Sequence, residues 1–529
     1  MLRLKENEST TTPLPEDRGQ SFVVTGAGTL AAGFAAALRQ SGLSVHAGHA
    51  STVAGPAAVA IELPGVGDGA LLCHVAADDS GVCWSFSDGH GQAPVPHPSA
   101  AFRRAASLAA ATVPGDDFGT RVSPITIAAQ QIAHNMLGGA RPHAGTVTFL
   151  DRRTLRTSTH NVTAHPYDVP AKQRAHDEFR RGRADLRNGR PLSRPELTRR
   201  WQRLSDERFG AFTGLEETRL RQLPLKATLA RMSDPCGLLS GPPAVAGVGI
   251  DTESARERAI LQALAAYGSI VVDPRLLVDA GGRFLGPPDG DASRLLESVR
   301  DGSVDAFVRA TDLTDGRDRL LPARQAFGVL RAPELAPCGT SAAPGWQQAL
   351  TNGLLQHCVR LTVCGPAFQA RRHRALAAED FDQDPGVRFL AAMVKAAGIG
   401  ITLHDITGPA GVPVVACVPA SGQTVYGGGA KLTEAVREAL TAALFRYQLR
   451  CDPVLRATIG PNPASDIWTN PASSASLSPD RLVDALASVG YTPSVFALDH
   501  DGGVLEAFPY VLRVIITPPR RRGGAGRAR

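Results

Sequence analysis

The segment SFVVTGAGTLAAGFAAALRQSGLSVHA, residues 21–47, constrains the fold of this chain more than any other. A short apolar strand leads through a glycine turn into an alanine-rich helix, and a second strand begins after Gly42. This strand, helix, strand order is typical of a Rossmann-like fold. Short strands, a helix and the hairpin segment GTVTFLDRRTLRTSTHNV follow. Residues 21–170 are therefore predicted to form a Rossmann-like α/β domain.

The glycine turn has the spacing of a dinucleotide-binding loop. Gly26, Gly28 and Ala31 satisfy the pattern G-x-G-x-x-[GA], which lets a phosphate approach a helix N-terminus. The second strand runs into His46 and His49, without the acidic residue that would hold a ribose. Two alternatives follow for this turn: it binds no ligand, or it belongs to an enzyme that uses NAD or a flavin.

Length and composition indicate a globular protein with more than one core. A chain of 529 residues favours two domains, and its hydrophobic share of 43% is typical of globular proteins. No apolar run approaches the roughly 20 residues that span a bilayer, and residues 1–20 lack the apolar stretch of a signal peptide. We therefore expect a cytoplasmic protein with no membrane partner and a disordered leader over residues 1–20.

Charge and cysteine usage narrow the partners further. The formal net charge is +6, and much of the excess lies in residues 180–203 and 518–529. Such arginine-rich runs are usually solvated, so we predict a basic linker at residues 171–200, a disordered basic tail at 520–529 and no nucleic-acid partner. The eight cysteines include no C-x-x-C pair, which predicts free thiols and no structural metal.

Residues 201–519 alternate amphipathic helices with apolar strands, which predicts an α+β domain. Six segments in this region resemble, in order and spacing, those of the YcaO family: LSDERFGAFTGLEE, AGVGIDTESARERAILQALAAYGS, GTSAAPGWQQALTNGLLQHCVRL, ITGPAGVPVVACVPA, YGGGAKLTEAVREALTAALF and FPYVLRVIITPP. The preceding domain resembles the ubiquitin-activating-like region found before YcaO domains in enzymes that make thiazolines and oxazolines. The resemblance implies an α+β YcaO-like domain over residues 201–519.

The resemblance also implies a reaction and a cofactor. In YcaO enzymes a Cys, Ser or Thr side chain attacks the carbonyl carbon of a backbone amide, and ATP then phosphorylates the oxygen of that amide. Mg²⁺ ions at the triphosphate require carboxylate ligands, which the family supplies from helices. By the resemblance, the family's Glu-x-x-Glu-Arg and other acidic positions fall here on Gln262, Ala265 and Ala266, on Gln348, Gln356 and Val359, and on Ala442.

Two positions of the family's nucleotide site are retained, Ser341 and Arg360. Glu438 stands where the family has an arginine; it lies one turn before Ala442 and is the candidate substitute ligand. Glu257 lies five residues before Gln262, about 140° around a helix, and is expected to face elsewhere. We predict no metal ligands.

Three further segments are assigned to structure rather than to chemistry. The GGGAK segment, residues 427–431, is predicted to be a turn into a helix. His357 and Cys358 are adjacent and would point about 100° apart on a helix, so both are predicted to be packing residues. The segment AHPYDVP, residues 164–170, stands where azoline-forming relatives carry paired cysteines, so no zinc is expected there.

These observations predict a catalytically degenerate YcaO-like subunit of a complex that modifies a ribosomally made peptide. Its expected partners are the precursor peptide and an active YcaO cyclodehydratase or a second copy of the chain, and no cofactor is expected. The alternative is an active cyclodehydratase that uses ATP and Mg²⁺ to form azolines from Cys, Ser or Thr.

Overall fold

The computed structural model describes residues 21–26, 28–48, 58–66, 69–78, 80–88, 124–138, 146–174, 176–332, 334–365, 373–381, 383–459, 467–469 and 477–518. The predicted leader at residues 1–20, the tail at 520–529 and His49 lie outside the described residues. The chain divides into two compact units, and the boundary in the sequence lies between Ala164 and His165. Among the described residues, none of the helices combines the length and hydropathy that a membrane-spanning segment requires.

The N-terminal unit contains a mixed sheet. Its strands and helices are β1 (Ser21–Gly26), α1 (Gly28–Gln40), β2 (Ser44–Ala47), β3 (Ala58–Val66), β4 (Gly69–Asp78), β5 (Gly81–Asp88), α2 (Pro124–Leu137), β6 (Thr146–Asp151) and β7 (Thr157–Asn161). The strand order is β2-β1-β3-β4-β5-β6-β7. Phe22, Phe34 and Trp84 are buried in its core.

The Rossmann-like prediction for this unit holds only at its beginning. Strands β1 and β2 are parallel on either side of α1, as the sequence predicts, and β6 and β7 form the predicted hairpin. From β1 to β3 and onward, however, the neighbouring strands are antiparallel. The connections β3–β4 and β4–β5 are too short for the crossover that parallel strands need, so the doubly wound arrangement does not continue.

The C-terminal unit combines three sheets with helices, as the α+β prediction requires. Its strands are β8 (Lys226–Arg231), β9 (Ala244–Gly249), β10 (Phe307–Asp312), β11 (Asp318–Pro322), β12 (Thr340–Ala342), β13 (Arg374–Leu376), β14 (Ile401–Asp405), β15 (Val414–Pro419), β16 (Val425–Gly428), β17 (Ile467–Trp468), β18 (Thr492–Ala497) and β19 (Val511–Thr517). The sheets have the orders β11-β10-β18-β19-β12, β13-β14-β15-β16-β17 and β8-β9.

The helices of this unit separate and cover the sheets. They are α3 (His176–Asn188), α4 (Arg194–Leu204), α5 (Thr252–Ile270), α6 (Ala292–Asp301), α7 (Ala323–Ala326), α8 (Trp346–Cys364), α9 (Pro385–Ala396), α10 (Leu432–Cys451), α11 (Pro453–Ile459), α12 (Pro479–Ser488) and α13 (Gly502–Ala507). The long helices α5, α8 and α10 are each buried along most of their length.

The segment predicted as a basic linker, residues 171–200, contains α3 and the start of α4. Helix α4 begins after Ser193, whose hydroxyl accepts a hydrogen bond from the Glu196 backbone N–H. Leu197 and Trp201, four residues apart, are buried in the core of the C-terminal unit. The segment was predicted to be a linker because arginines dominate its composition. The apolar residues at helical spacing between these arginines indicate a helix instead.

The C-terminal unit contains two copies of a hairpin–helix arrangement, β8–β9–α5 and β15–β16–α10. Gly247 and Gly427 occupy equivalent positions in the two hairpins. A Cβ on Gly247 would lie 2.1 Å from the Ala259 nitrogen, and a Cβ on Gly427 would lie 2.2 Å from the Ala435 oxygen. In both copies the second strand therefore packs with its backbone directly on the backbone of the following helix.

We expect Gly247→Ala and Gly427→Ala each to destabilise the C-terminal unit by about 1–3 kcal/mol, because strand and helix must move apart to admit the methyl group. Thermal unfolding followed by circular dichroism measures the effect. Gly241→Ala is the matched control, since a Cβ at Gly241 meets no atom within 4 Å. Equal melting temperatures for the three variants would contradict the close-packing argument.

Candidate functional site

A cavity of about 960 Å³ lies in the C-terminal unit, between helices α5, α8 and α10 and beside strand β9. The inner half of α5 is apolar on every side because α5 packs against β8, β9 and β12 and fills the core below the cavity. A pocket of this size accommodates a drug-sized ligand or a short peptide segment.

The structure brings most of the predicted site residues together. Those that line the cavity are Gln262, Ala265, Ser341, Gln348, Gln356, Arg360 and Glu438. The remaining predicted positions, Ala266, Val359 and Ala442, are fully buried and do not border the cavity. Residues predicted from three separate helices thus meet at one place.

Gln356 has a structural role that depends on its amide group. Its Oε1 accepts a hydrogen bond of 2.9 Å from the Gly339 N–H, and its Nε2 donates one of 3.2 Å to the Thr340 carbonyl. A glutamate can replace the acceptor but not the donor. The glutamine therefore fixes the start of β12 against α8.

Several polar oxygens beside the cavity have no hydrogen-bond partner among the residues that the structure describes. Asn352 donates from Nδ2 to the Ser341 hydroxyl over 3.0 Å, which leaves the Asn352 Oδ1 unpaired. The Gln348 Oε1 and the Thr340 Oγ1 are also buried without a partner. A buried acceptor without a donor costs free energy, so these groups favour a ligand that carries N–H or O–H donors.

Glu438, the candidate substitute ligand, is committed to an ion pair. Both of its carboxylate oxygens lie 3.2 Å from the Arg258 Nη2, and its side chain is only 2% exposed. Arg258 precedes Gln262 by one helical turn and also lines the cavity. A buried carboxylate that already faces a guanidinium is a poor ligand for a metal ion, because coordinating the ion would break this buried ion pair.

The expectation that Glu257 faces away from the site is wrong. Glu257 lines the cavity, and its carboxylate lies 2.8 Å from the Arg194 guanidinium of α4. The cavity extends around more than one face of α5. Glu257 therefore borders it even though its side chain points about 140° away from that of Gln262. Arg194 also contacts Glu253 over 3.0 Å and links α4 to α5 across the cavity mouth.

The other acids at the cavity are Asp251 and Glu334. Asp251 caps α5 and accepts a 2.7 Å hydrogen bond from the Ser254 N–H, which holds the pKa of Asp251 below its usual value. Glu334 is exposed. In the described ranges, no three His, Cys, Asp or Glu side chains come together as a metal-binding group, and the cysteines there are free.

His357 contacts a cysteine other than its sequence neighbour. Its Nε2 lies 2.9 Å from the Val514 carbonyl oxygen and must therefore donate, while its Nδ1 lies 3.7 Å from the Cys338 Sγ at the cavity wall. Burial lowers the pKa of His357 to about 4 and raises the pKa of the Cys338 thiol. Both groups are therefore neutral near pH 7, which agrees with a packing role for His357.

Comparison with known proteins identifies the domain that carries the cavity. Residues 246–450 match the family model of the YcaO cyclodehydratase, a domain described as binding ATP and Mg²⁺. The chain contains a YcaO domain. No curated protein matches the sequence. The matched residues include all of α5 and α8, and they reach Arg450 in α10, so the three helices that border the cavity belong to this domain.

Three solved structures are similar to this chain to different degrees. A structure described as a heterocyclase in complex with substrate and cofactor matches 96% of this chain and 82% of its own, with 14% identity and a TM-score of 0.54. The heterocyclase TruD matches 96% and 80% of the two chains, with 16% identity and a TM-score of 0.48. YcaO from Methanopyrus kandleri, bound with AMPPCP and Mg²⁺, matches 61% and 88%, with 16% identity and a TM-score of 0.38.

Sequence reasoning missed several residues of the site, among them Arg194, Arg258 and Asn352. Arg258 and Asn352 lie one turn before Gln262 and Gln356, on the same helix faces, so their spacing could have identified them. Arg194 comes from the segment predicted to be a linker, and only its helix brings it to the cavity.

We expect Gln356→Glu to lower the stability by about 1–3 kcal/mol at pH 7, because a carboxylate would face the Thr340 carbonyl. Burial against a carbonyl raises the pKa of such a carboxyl group in the folded state, so the loss should shrink as the pH falls and be smallest below about pH 4, where the group is protonated and can again donate. Thermal unfolding at the two pH values measures this difference. Gln262→Glu is the control, since Gln262 makes no hydrogen bond within the described structure; a pH-independent loss for Gln356→Glu would contradict the assignment.

Proposed function

We propose that this YcaO protein is a cytoplasmic subunit of a complex that makes thiazole- or oxazole-type modifications in a ribosomally made peptide. In this proposal it binds the precursor peptide, or supports an active cyclodehydratase as a scaffold, rather than catalysing the reaction. The likeness to a heterocyclase fold over 96% of the chain supports the assignment to this class of complex. It also supports interpreting the N-terminal unit as a remnant of the ubiquitin-activating-like region.

The observation that carries the non-catalytic role is the state of the acids around the cavity. Glu257 and Glu438 are each paired with an arginine, and Asp251 caps a helix. Gln262, Gln348 and Gln356 are neutral at the positions where the resemblance places metal ligands. Mg²⁺ requires near-octahedral coordination by oxygen atoms and usually uses carboxylates together with substrate phosphates. The described residues therefore do not fit Mg·ATP.

The second candidate is an active ATP-dependent cyclodehydratase. Ser341 and Arg360 favour it, because both retained positions line the cavity. An arginine that faces an open cavity can bind phosphate oxygens. This candidate requires the cavity to bind Mg·ATP with carboxylates that would have to leave their present arginine partners.

Isothermal titration of the purified full-length protein with Mg·ATP separates the two candidates. We expect no saturable heat up to roughly millimolar ATP, the upper end of ordinary enzyme KM values. The Gln262→Glu, Ala265→Glu double variant, which adds two carboxylates at the cavity wall, tests whether charge alone limits binding. Saturable micromolar binding by the unaltered protein that is lost in Arg360→Ala would contradict the scaffold proposal and favour the active enzyme, which turnover of ATP with a peptide substrate would then test.

A further inference from the structure

Strand β9 has one edge without a strand partner. Its other edge pairs with β8 in antiparallel register, from Lys226↔Gly249 to Arg231↔Ala244. No strand in the part of the chain that the structure describes pairs with the free edge. Residues from both faces of β9, including Val245, Ala246 and Val248, line the cavity, so the cavity borders the edge of the strand rather than one face.

The hydrogen bonding of the hairpin shows which peptide groups lie at this edge. The Met232 N–H donates to the Pro243 carbonyl, so Met232 and Pro243 are a hydrogen-bonded pair of the antiparallel ladder. Hydrogen-bonded pairs occur at every second residue, so the peptide groups of Val245, Gly247 and Gly249 also point toward β8. The residues between them, Ala246 and Val248, direct their N–H and C=O groups to the free edge. Leu229 stands opposite Ala246 and exchanges two backbone hydrogen bonds with Glu216, which lies on the other side of β8. The peptide groups of Leu229 therefore point away from β9, which agrees with those of Ala246 pointing away from β8.

The repeated hairpin–helix unit shows what covers such an edge. In the second copy, Tyr426 and Gly428 occupy the positions of Ala246 and Val248 and direct their peptide groups away from β15, because the Gly429 N–H donates to the Pro413 carbonyl. Strand β17 pairs in parallel with this edge, through Tyr426↔Ile467 and Gly427↔Trp468. One copy therefore has an extended strand where the other copy borders the cavity.

We propose that the free edge of β9 is a peptide-binding site, at which an extended peptide segment adds as a parallel strand opposite Ala246 and Val248. The proposal deepens the peptide-binding role above and rests on it for the source of the natural ligand. Main-chain hydrogen bonds supply the binding in this mode, and adjacent pockets read alternate side chains.

The rest of the cavity suits the same occupant. A peptide brings backbone N–H groups, and the unpaired oxygens of Gln348, Asn352 and Thr340 are acceptors that need donors. Leu261, Leu335 and Phe445 add an apolar wall for side chains. Neutral amide and hydroxyl groups match a peptide backbone, which carries no net charge.

The test uses a synthetic probe that copies the sequence around β17, the peptide SDIWTN of residues 465–470 with blocked termini. Hydrogen exchange of the full-length protein, measured by mass spectrometry with and without this peptide, should become slower at the Ala246 and Val248 amides when the peptide is present. The Val245, Gly247 and Gly249 amides face β8 and should exchange slowly in both samples. Two N-methylated probes provide the matched comparison. Methylation at the Trp468 nitrogen removes the N–H that faces the strand edge, whereas methylation at Ile467 changes one that points away.

We expect the first modification to weaken binding by at least about fivefold and the second by less than about twofold, which corresponds to the loss of one hydrogen bond against none. Ala246→Pro, which removes an edge N–H outside the β8 ladder, should weaken binding of the unmodified probe similarly. Ala246→Val is its control, because it keeps the N–H with a side chain of similar size.

Three outcomes would overturn the site. The first is slow exchange of the Ala246 and Val248 amides before the peptide is added. The second is protection of residues 425–428 instead, through displacement of β17. The third is equal affinity of the two methylated probes. If the peptide does not bind at β9 and titration with Mg·ATP gives no saturable heat, the peptide site is rejected and the proposed non-catalytic role stands. Protection of β9 together with micromolar Mg·ATP binding would instead retain the site and reject that role.

Discussion

The backbone-to-backbone contact between strand and helix in the two hairpin–helix units determines the geometry of the YcaO domain. Gly247 and Gly427 allow β9 and β16 to lie on α5 and α10 at a separation that no residue with a Cβ would permit. The cavity walls, the position of Gln262 and the meeting of Arg258 with Glu438 all depend on it.

Around the cavity, charge is balanced within the protein. The pairs Arg258–Glu438 and Arg194–Glu257 each neutralise an acid that could otherwise hold a cation. They differ in environment, since the first pair is buried and the Arg194 side chain is 52% exposed. Salt in solution weakens exposed pairs far more than buried ones. The Arg194–Glu257 pair is therefore more sensitive to ionic strength than the Arg258–Glu438 pair.

Much of the fold of both units could be predicted from sequence, because short stretches of residues carry the sequence patterns that indicate it. The strand–glycine–helix pattern identified β1, α1 and β2, and ordered sequence blocks identified the YcaO domain and placed Gln262, Gln356 and Arg360 at one cavity. The antiparallel continuation after β1 could not be predicted, because a short apolar run does not reveal the direction of its neighbour. Glu257 was misplaced because helical geometry gives the direction of a side chain but not the width of the cavity that it meets.

The pairing of Arg258 with Glu438 has a consequence for how such a domain can arise from two similar halves. The two residues occupy equivalent positions of the repeated unit and contact each other. If both halves carried the same residue here, two like charges would meet in a buried place, at a cost that neither half could relieve alone. A duplicated unit of this kind cannot keep the same charged residue in both copies at the position where it meets its own copy. The difference between the halves is therefore a condition of their assembly.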